Sequence, residues 1–216
     1  MSDDLIFREV DEEVRRDRYE TMWKRYGAYI VGAAVLIVAV VAGVVFWQDY
    51  QRSERRALGE SFEAALDSLD ADRPAEAAAA FDQIAAEAPE GYRALAEMQA
   101  AAARAQAGQK VEALATYDRL IADDGLTDMH RDIARLKAAL LALELNGGDA
   151  AIERLGGLPE SGSPFSNAAR ELRASALLAN GDRDAAIAEL EAVADDAGAT
   201  QAQRDRVRNY LMALGG

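Results

Sequence analysis

The chain has one histidine, His130, set between Asp128 and Asp132, and just before it stands Asp123-Asp124-Gly125. An imidazole among carboxylates is the natural place to look for a general base or a metal ligand set. One histidine in a chain without cysteine cannot complete a zinc site, and the acids leave open only metals that accept oxygen ligands. Asp123-Asp124-Gly125 resembles the start of a calcium loop but lacks the alternating acids and closing glutamate of an EF-hand, so it reads as a helix terminus. His130 falls at the expected start of the next helix and reads as a solvated side chain. No glycine loop suited to a phosphate and no GxSxG elbow occurs. The absence of cysteine excludes disulfides, thiolate nucleophiles and lipoprotein acylation. The expectation is a chain that is not an enzyme, holds no cofactor or metal, takes no small-molecule substrate, and works by recognition.

Charge narrows the partners. Over 216 residues the net charge is −14, and residues 57–216 alone hold 15 bases and 28 acids, a net −13. Such a surface repels phosphate backbones, which excludes nucleic acid as an expected partner. Alanine is abundant and only 6% of residues are aromatic, a composition that suits close-packed helices better than strands.

An uncharged run, GAYIVGAAVLIVAVVAGVVFW, extends from Gly27 to Trp47. As an α-helix it would reach about 32 Å, against a hydrocarbon slab of about 30 Å. It does not read as a signal peptide: a mixed-charge segment precedes it, it is longer than an h-region, and bulky charged residues follow instead of a small-residue cleavage site. Trp23, Tyr26 and Tyr29 on one side and Phe46, Trp47 and Tyr50 on the other suit two interfacial belts. Arg15, Arg16, Arg18, Lys24 and Arg25 precede the run, whereas only Arg52, Arg55 and Arg56 follow closely, which orients the N-terminus to the cytoplasm. The expected division is a cytoplasmic segment 1–25, a single-pass transmembrane helix 26–48, a juxtamembrane linker 49–56 and a repeat domain 57–216. Within the first segment Ile6, Phe7, Val10 and Val14 predict a short amphipathic helix. Within the span, Ala28, Gly32, Ala39 and Gly43 fall inside an arc of about 60°. Such a stripe either admits a second helix at close range or reflects the general abundance of small residues in membrane helices.

Downstream, DAAIERL at 149–155 returns as DAAIAEL at 184–190, and the same slot occurs earlier as AAAAF (77–81) and ALATY (113–117). Each slot opens on alanine and closes four residues later on a large side chain, at intervals of 36, 38 and 35 residues. Periods near 34 with helix–turn–helix texture are those of tetratricopeptide (TPR) repeats. Ala77, Ala113, Ala151 and Ala186 are expected where two helices cross, with Phe81, Tyr117, Leu155 and Leu190 filling the space one turn on. Turns are expected at 70–74, 107–109, 146–149 and 180–184, with Gly108, Gly148 and Gly181 in left-handed conformations. Pro89 follows the second helix of the first unit. The third unit has a short second helix followed by GGLPESGSPF (156–165), read as a flexible joint or an exposed loop. Thr200 caps a final helix carrying Val207, Leu211 and Leu214 on one side. The fold class is thus all-α, a TPR-like solenoid after one transmembrane helix.

Placing the repeat alanines at the TPR slot gives an inner face of Phe62, Leu66 and Leu69; Leu95, Met98 and Ala102; Ile133, Leu136 and Leu140; and Ala168, Glu171 and Ser175. None is basic, which argues against a clamp for a partner's C-terminal carboxylate. The candidate protein-binding face is Phe62, Leu66, Leu95, Met98, Leu136 and Leu140, with burial between helices as the competing role for several of them.

The order of parts, with the aromatic cluster VVFWQDYQ closing the apolar run, resembles the ancillary SecYEG translocon subunit family, the YfgM type of TPR-like protein. ELRASALLANGDRDAAIAELEAV (171–193) is similar to that family's RGEALLxxGD region, and RVRNYLMAL (206–214) to its terminal helix. The resemblance implies a bacterial inner-membrane protein with its repeat domain in the periplasm. It also implies SecYEG and a PpiD-type chaperone as protein partners, and help for secreted proteins as they emerge. The alternative is a scaffold that organises another envelope complex.

Overall fold

A computed structural model describes residues 3–215, and among them the side chains other than those at 3–24, 26, 28, 30, 33, 34 and 90. The amphipathic pattern of Ile6, Phe7, Val10 and Val14, the basic cluster Arg15, Arg16, Arg18 and Lys24, and Trp23, Tyr26 and Ala28 therefore lie outside the described side chains. The chain divides into two compact units, Met1–Ala57 and Leu58–Gly216. Among the described residues there are nine α-helices and no strand: α1 (Asp3–Asp70), α2 (Pro74–Glu87), α3 (Glu90–Gln106), α4 (Lys110–Ile121), α5 (Asp128–Asn146), α6 (Gly148–Leu155), α7 (Ser166–Ala179), α8 (Arg183–Asp195) and α9 (Gln201–Ala213).

In the first unit the described side chains of the apolar run pack on nothing. Val35 to Val38, Val40, Val41, Val44, Val45, Phe46 and Trp47 are all exposed. In water each such aliphatic side chain would forgo about 1.5–3 kcal/mol of transfer free energy. The helix is long and apolar enough to span a membrane. Residues 49–56, expected as a linker, are helical within α1; no glycine or proline interrupts them.

The second unit is a stack of helix pairs. The turns fall where breaker residues stand. Gly108 and Gly181 adopt φ of +83° and +85°, as expected. In the third pair the assignment shifts by one residue: Gly147, not Gly148, takes the left-handed conformation, at φ +91°. Gly148 is needed for a different reason. A Cβ there would lie 2.2 Å from the Ala176 carbonyl oxygen and 2.3 Å from Asn180 Oδ1, so only glycine lets α6 start against the end of α7. Asn180 Nδ2 donates to Asp149 Oδ1 at 2.7 Å across the same junction.

The repeat slot is the core. Ala77, Ala113, Ala151 and Ala186 are fully buried, and Phe81, Tyr117, Leu155 and Leu190 are buried with them. Phe81 meets Phe62 edge-on at 5.0 Å between ring centroids. The Tyr117 hydroxyl donates to the Met98 carbonyl at 3.3 Å, and burial pushes its pKa up to about 12. Charged pairs link neighbouring elements: Arg104–Asp82 joins α3 to α2, Lys110–Glu144 joins α4 to α5, and Arg154 of α6 is bidentate on Asp118 of α4 at 3.0 Å. At the end of the stack Thr200 and Gln203 form a reciprocal capping box, and Val207 is buried against Leu190 and Val193.

The segment 156–165 is neither a free joint nor a wholly exposed loop. It contains a 3₁₀ turn at Leu158–Glu160 whose Leu158 and Pro159 are buried, the leucine filling the space left by the short α6. Ser163 Oγ donates to Asp132 Oδ2 at 2.7 Å, and Ser166 Oγ donates to the Leu158 carbonyl at 3.1 Å. Arg173 reaches both Glu160 and Glu189, the latter at 2.5 Å, tying the turn to α7 and α8. The Arg173 hydrogen bond holds the Glu160 carboxyl below its ordinary range.

These contacts set three expectations. Gly148→Ala should destabilise the chain by about 1–3 kcal/mol through overpacking, read as a lower melting temperature of the detergent-solubilised protein by circular dichroism. Phe81→Ala should cost about 3–5 kcal/mol on the same scale. A carboxylate with a depressed folded pKa stabilises above its unfolded pKa, near 4.5 for Glu160, and this contribution is lost as pH falls through the folded value. Glu160→Gln should therefore melt below the parent at pH 7, and the two melting curves should converge as pH falls below the depressed folded value.

Candidate protein-binding surface

The residues with chemical potential are occupied by structure. Thr127 caps α5 and its Oγ1 lies 2.9 Å from His130 Nδ1, so the imidazole sits in a helix cap. Asp123 Oδ1 accepts from the Gly125 amide at 2.9 Å, a turn after α4, and Arg131 pairs with Asp128 at 2.5 Å. Among the described residues no three His, Asp or Glu side chains converge as a metal ligand set. A cavity of about 470 Å³ lies between the start of α5 and residues 157–165, lined by Asp128, Asp132, Arg135 and Phe165 among others. Its most buried acid, Asp132, is engaged by Ser163 and lies 3.5 Å from Arg135. Nothing in sequence spacing signals that pairing, because its partners are 31 residues apart.

What remains open is a surface, and the helical wheel defines it. On α3, Ala94, Met98 and Ala101 pack toward α4, and Ala96, Ala100 and Ala103 pack toward α2. Between these two contacts an uncharged arc is left: Tyr92, Leu95, Gln99 and Ala102. On α5 the contacts of Leu136, Ala139 and Leu143 toward α6, and of Ala134, Ala138, Leu141, Ala142 and half-buried Ile133 with the core shared with α4, leave Met129 and Leu140. On α7 the equivalent arc carries Glu171, Ser175 and Leu178. The packed seam of α1 (Leu58, Phe62, Ala65 and Leu69) is flanked by Leu66, Glu63 and Asp70. In each case the open arc is rotated in one sense, by roughly 70–110°, from the seam that meets the following helix. A constant offset repeated along a stack puts these arcs on one side of it.

Six residues were expected on this face. Leu66, Leu95 and Leu140 are exposed, at 37%, 40% and 55%. Phe62 and Leu136 are half-buried, the first against Phe81 and the second in the core formed with Ala151 and Leu155. Met98 is corrected: it is 8% exposed and belongs to the core between α3 and α4, because it sits some 60° around the helix from Leu95, toward α4. Tyr92, Met129 and Leu178, which belong to the open arcs, were missed; the absence of charge at 92, 95, 99 and 102 was the available signal on α3. On α7 the arc's one acid, Glu171, is neutralised by Arg206 of α9, with both contacts at 2.8 Å.

In the apolar run of α1, Gly32 and Gly43 are exposed, and a Cβ at either would meet nothing within 4 Å. Ala39 is exposed as well.

The arrangement offers no reacting group and a run of apolar side chains on regularly spaced helices, which suits binding another polypeptide. No curated protein and no solved structure matches the chain. A family model described as a tetratricopeptide repeat-like domain, a module that typically mediates protein–protein interaction, matches residues 20–216. Repeat alanines at helix crossings, breaker-bearing turns and a capping helix agree with that match, and the chain belongs to the tetratricopeptide repeat-like domain family.

Proposed function

We propose that this is a membrane-anchored, protein-binding accessory of the Sec translocon, with its N-terminus in the cytoplasm and its repeat unit in the periplasm of a bacterium, where it assists secreted proteins as they emerge. The observation that carries the binding role is the pair of open arcs on α3 and α5, where Tyr92, Leu95, Met129 and Leu140 stay exposed although the chain has an extensive alanine core in which to bury apolar groups. Exposed apolar groups on one side of a soluble unit mark an interaction surface. The translocon assignment rests on the sequence resemblance at 171–193 and 206–214 and on the apolar helix that precedes the repeats. SecYEG and a PpiD-type chaperone are the partners this reading names, and Ala28, Gly32, Ala39 and Gly43 are the helix face it assigns to contact within the bilayer.

Affinity purification from detergent-solubilised membranes tests the assignment. Sec channel subunits should co-purify with the full chain and be lost when residues 26–48 are replaced by an unrelated membrane helix. Recovery of a different, discrete envelope complex would instead make the chain a scaffold for that complex. Gly32→Leu with Gly43→Leu should reduce crosslinking to the channel by several-fold while leaving membrane insertion intact; undiminished crosslinking would remove the small-residue face from the account.

A further inference from the structure

We propose that the open face takes an extended polypeptide segment that is apolar along its body and basic at one end, with the basic end lying over the last turns of α1. This deepens the protein-binding role assigned to the face and rests on it.

The face changes character along the stack. Its α3 portion is uncharged and exposes Tyr92 and Leu95, and its α5 portion exposes Met129 and Leu140, with Lys137 and the Lys110-paired Glu144 on the flank toward α4. Its α1 portion sets Leu66 beside Glu63 and Asp70, with Asp67 further round the helix, all exposed. Among the described residues no cation reaches these three carboxylates, whereas Glu171 on the α7 arc is matched by Arg206 and Glu144 on α5 by Lys110. The three acids are also poorly placed for the helix itself. They stand at i, i+4 and i+7, where like charges repel, and in the last turns of α1, where the dipole disfavours anions and which contain no base. Their cost to the isolated chain is relieved by a cation delivered from outside.

Charge also selects among occupants. A second copy would bring another net −13 from residues 57–216, so association through this face is opposed by repulsion over the whole unit. An acidic segment would set its own carboxylates against three unneutralised ones. A neutral apolar segment would satisfy α3 and α5 and leave α1 as it is. A segment with lysine or arginine at one end satisfies both portions in one register, and that asymmetry fixes the direction in which it lies.

The test uses the full-length protein in detergent micelles and three fluorescent peptides sharing one apolar core, ended by three lysines, three glutamates or three serines. By fluorescence anisotropy at about 50 mM salt, the lysine peptide should bind roughly tenfold tighter than the glutamate peptide. The gap should shrink at about 500 mM salt. The triple variant Glu63→Gln/Asp67→Asn/Asp70→Asn, which alters only exposed side chains, should bring the lysine peptide to the level of the serine peptide. Leu95→Asp with Leu140→Asp should remove binding of all three. Equal binding of the three peptides, unchanged by the triple variant, would overturn the basic-end assignment while leaving the face as a binding surface. Binding of no peptide, or binding indifferent to Leu95→Asp/Leu140→Asp in a variant with unchanged circular dichroism, would overturn the surface reading itself.

Discussion

The close crossing of two helices at an alanine is the constraint on which the rest of this structure depends. Ala77, Ala113, Ala151 and Ala186 have no exposed surface, and each is followed one turn later by a large buried side chain. A small residue at the crossing brings the backbones together, and the large one fills the wedge that opens as the axes diverge. Because the facing positions on α3 and α5 are also largely alanine, each first helix meets its neighbours through narrow seams. Two narrow seams cannot cover a cylinder, so a third arc stays open in every pair. The residues on that arc are free to serve recognition, since the fold makes no demand on them.

The third pair shows what happens when the repeat is cut short. With α6 only eight residues long, the stack would lack apolar cover at its end, and the 158–160 turn supplies it through Leu158 and Pro159. To this apolar cover its attachment adds the shared guanidinium of Arg173 and the Ser163–Asp132 hydrogen bond. Individually such contacts near the surface contribute little; here three elements share them, and their geometry fixes where α7 begins. The opening of α6 on Gly148, against the Ala176 carbonyl, belongs to the same compressed region.

The alanine-to-large-residue slot, the breaker-bearing turns and the Thr200 cap were legible in the sequence because each follows from backbone sterics within a few residues. The failures fall where a distant neighbour decides. Gly147 and Gly148 are adjacent and equally able to adopt positive φ, and only the position of α7, some thirty residues on, determines which of them must turn and which must lack a side chain. Met98 looked like a surface residue because spacings of three and four both keep a helical stripe, and its burial follows from where α4 lies. The helical continuation through 49–56 was available in principle, since the segment contains no breaker. The acidic arc of α1 was visible as composition but gained meaning only from the absence of ion-pair partners among the described residues.

The open side of the stack is the central claim, and site-specific photocrosslinking in intact cells tests it most directly. A crosslinking amino acid placed at Leu95 or Leu140 should capture protein partners, while the same group at Val111, equally apolar and more exposed but on α4, should capture few or none. Capture from Val111 as strong as from Leu95 and Leu140, or capture from Val111 alone, would contradict the account.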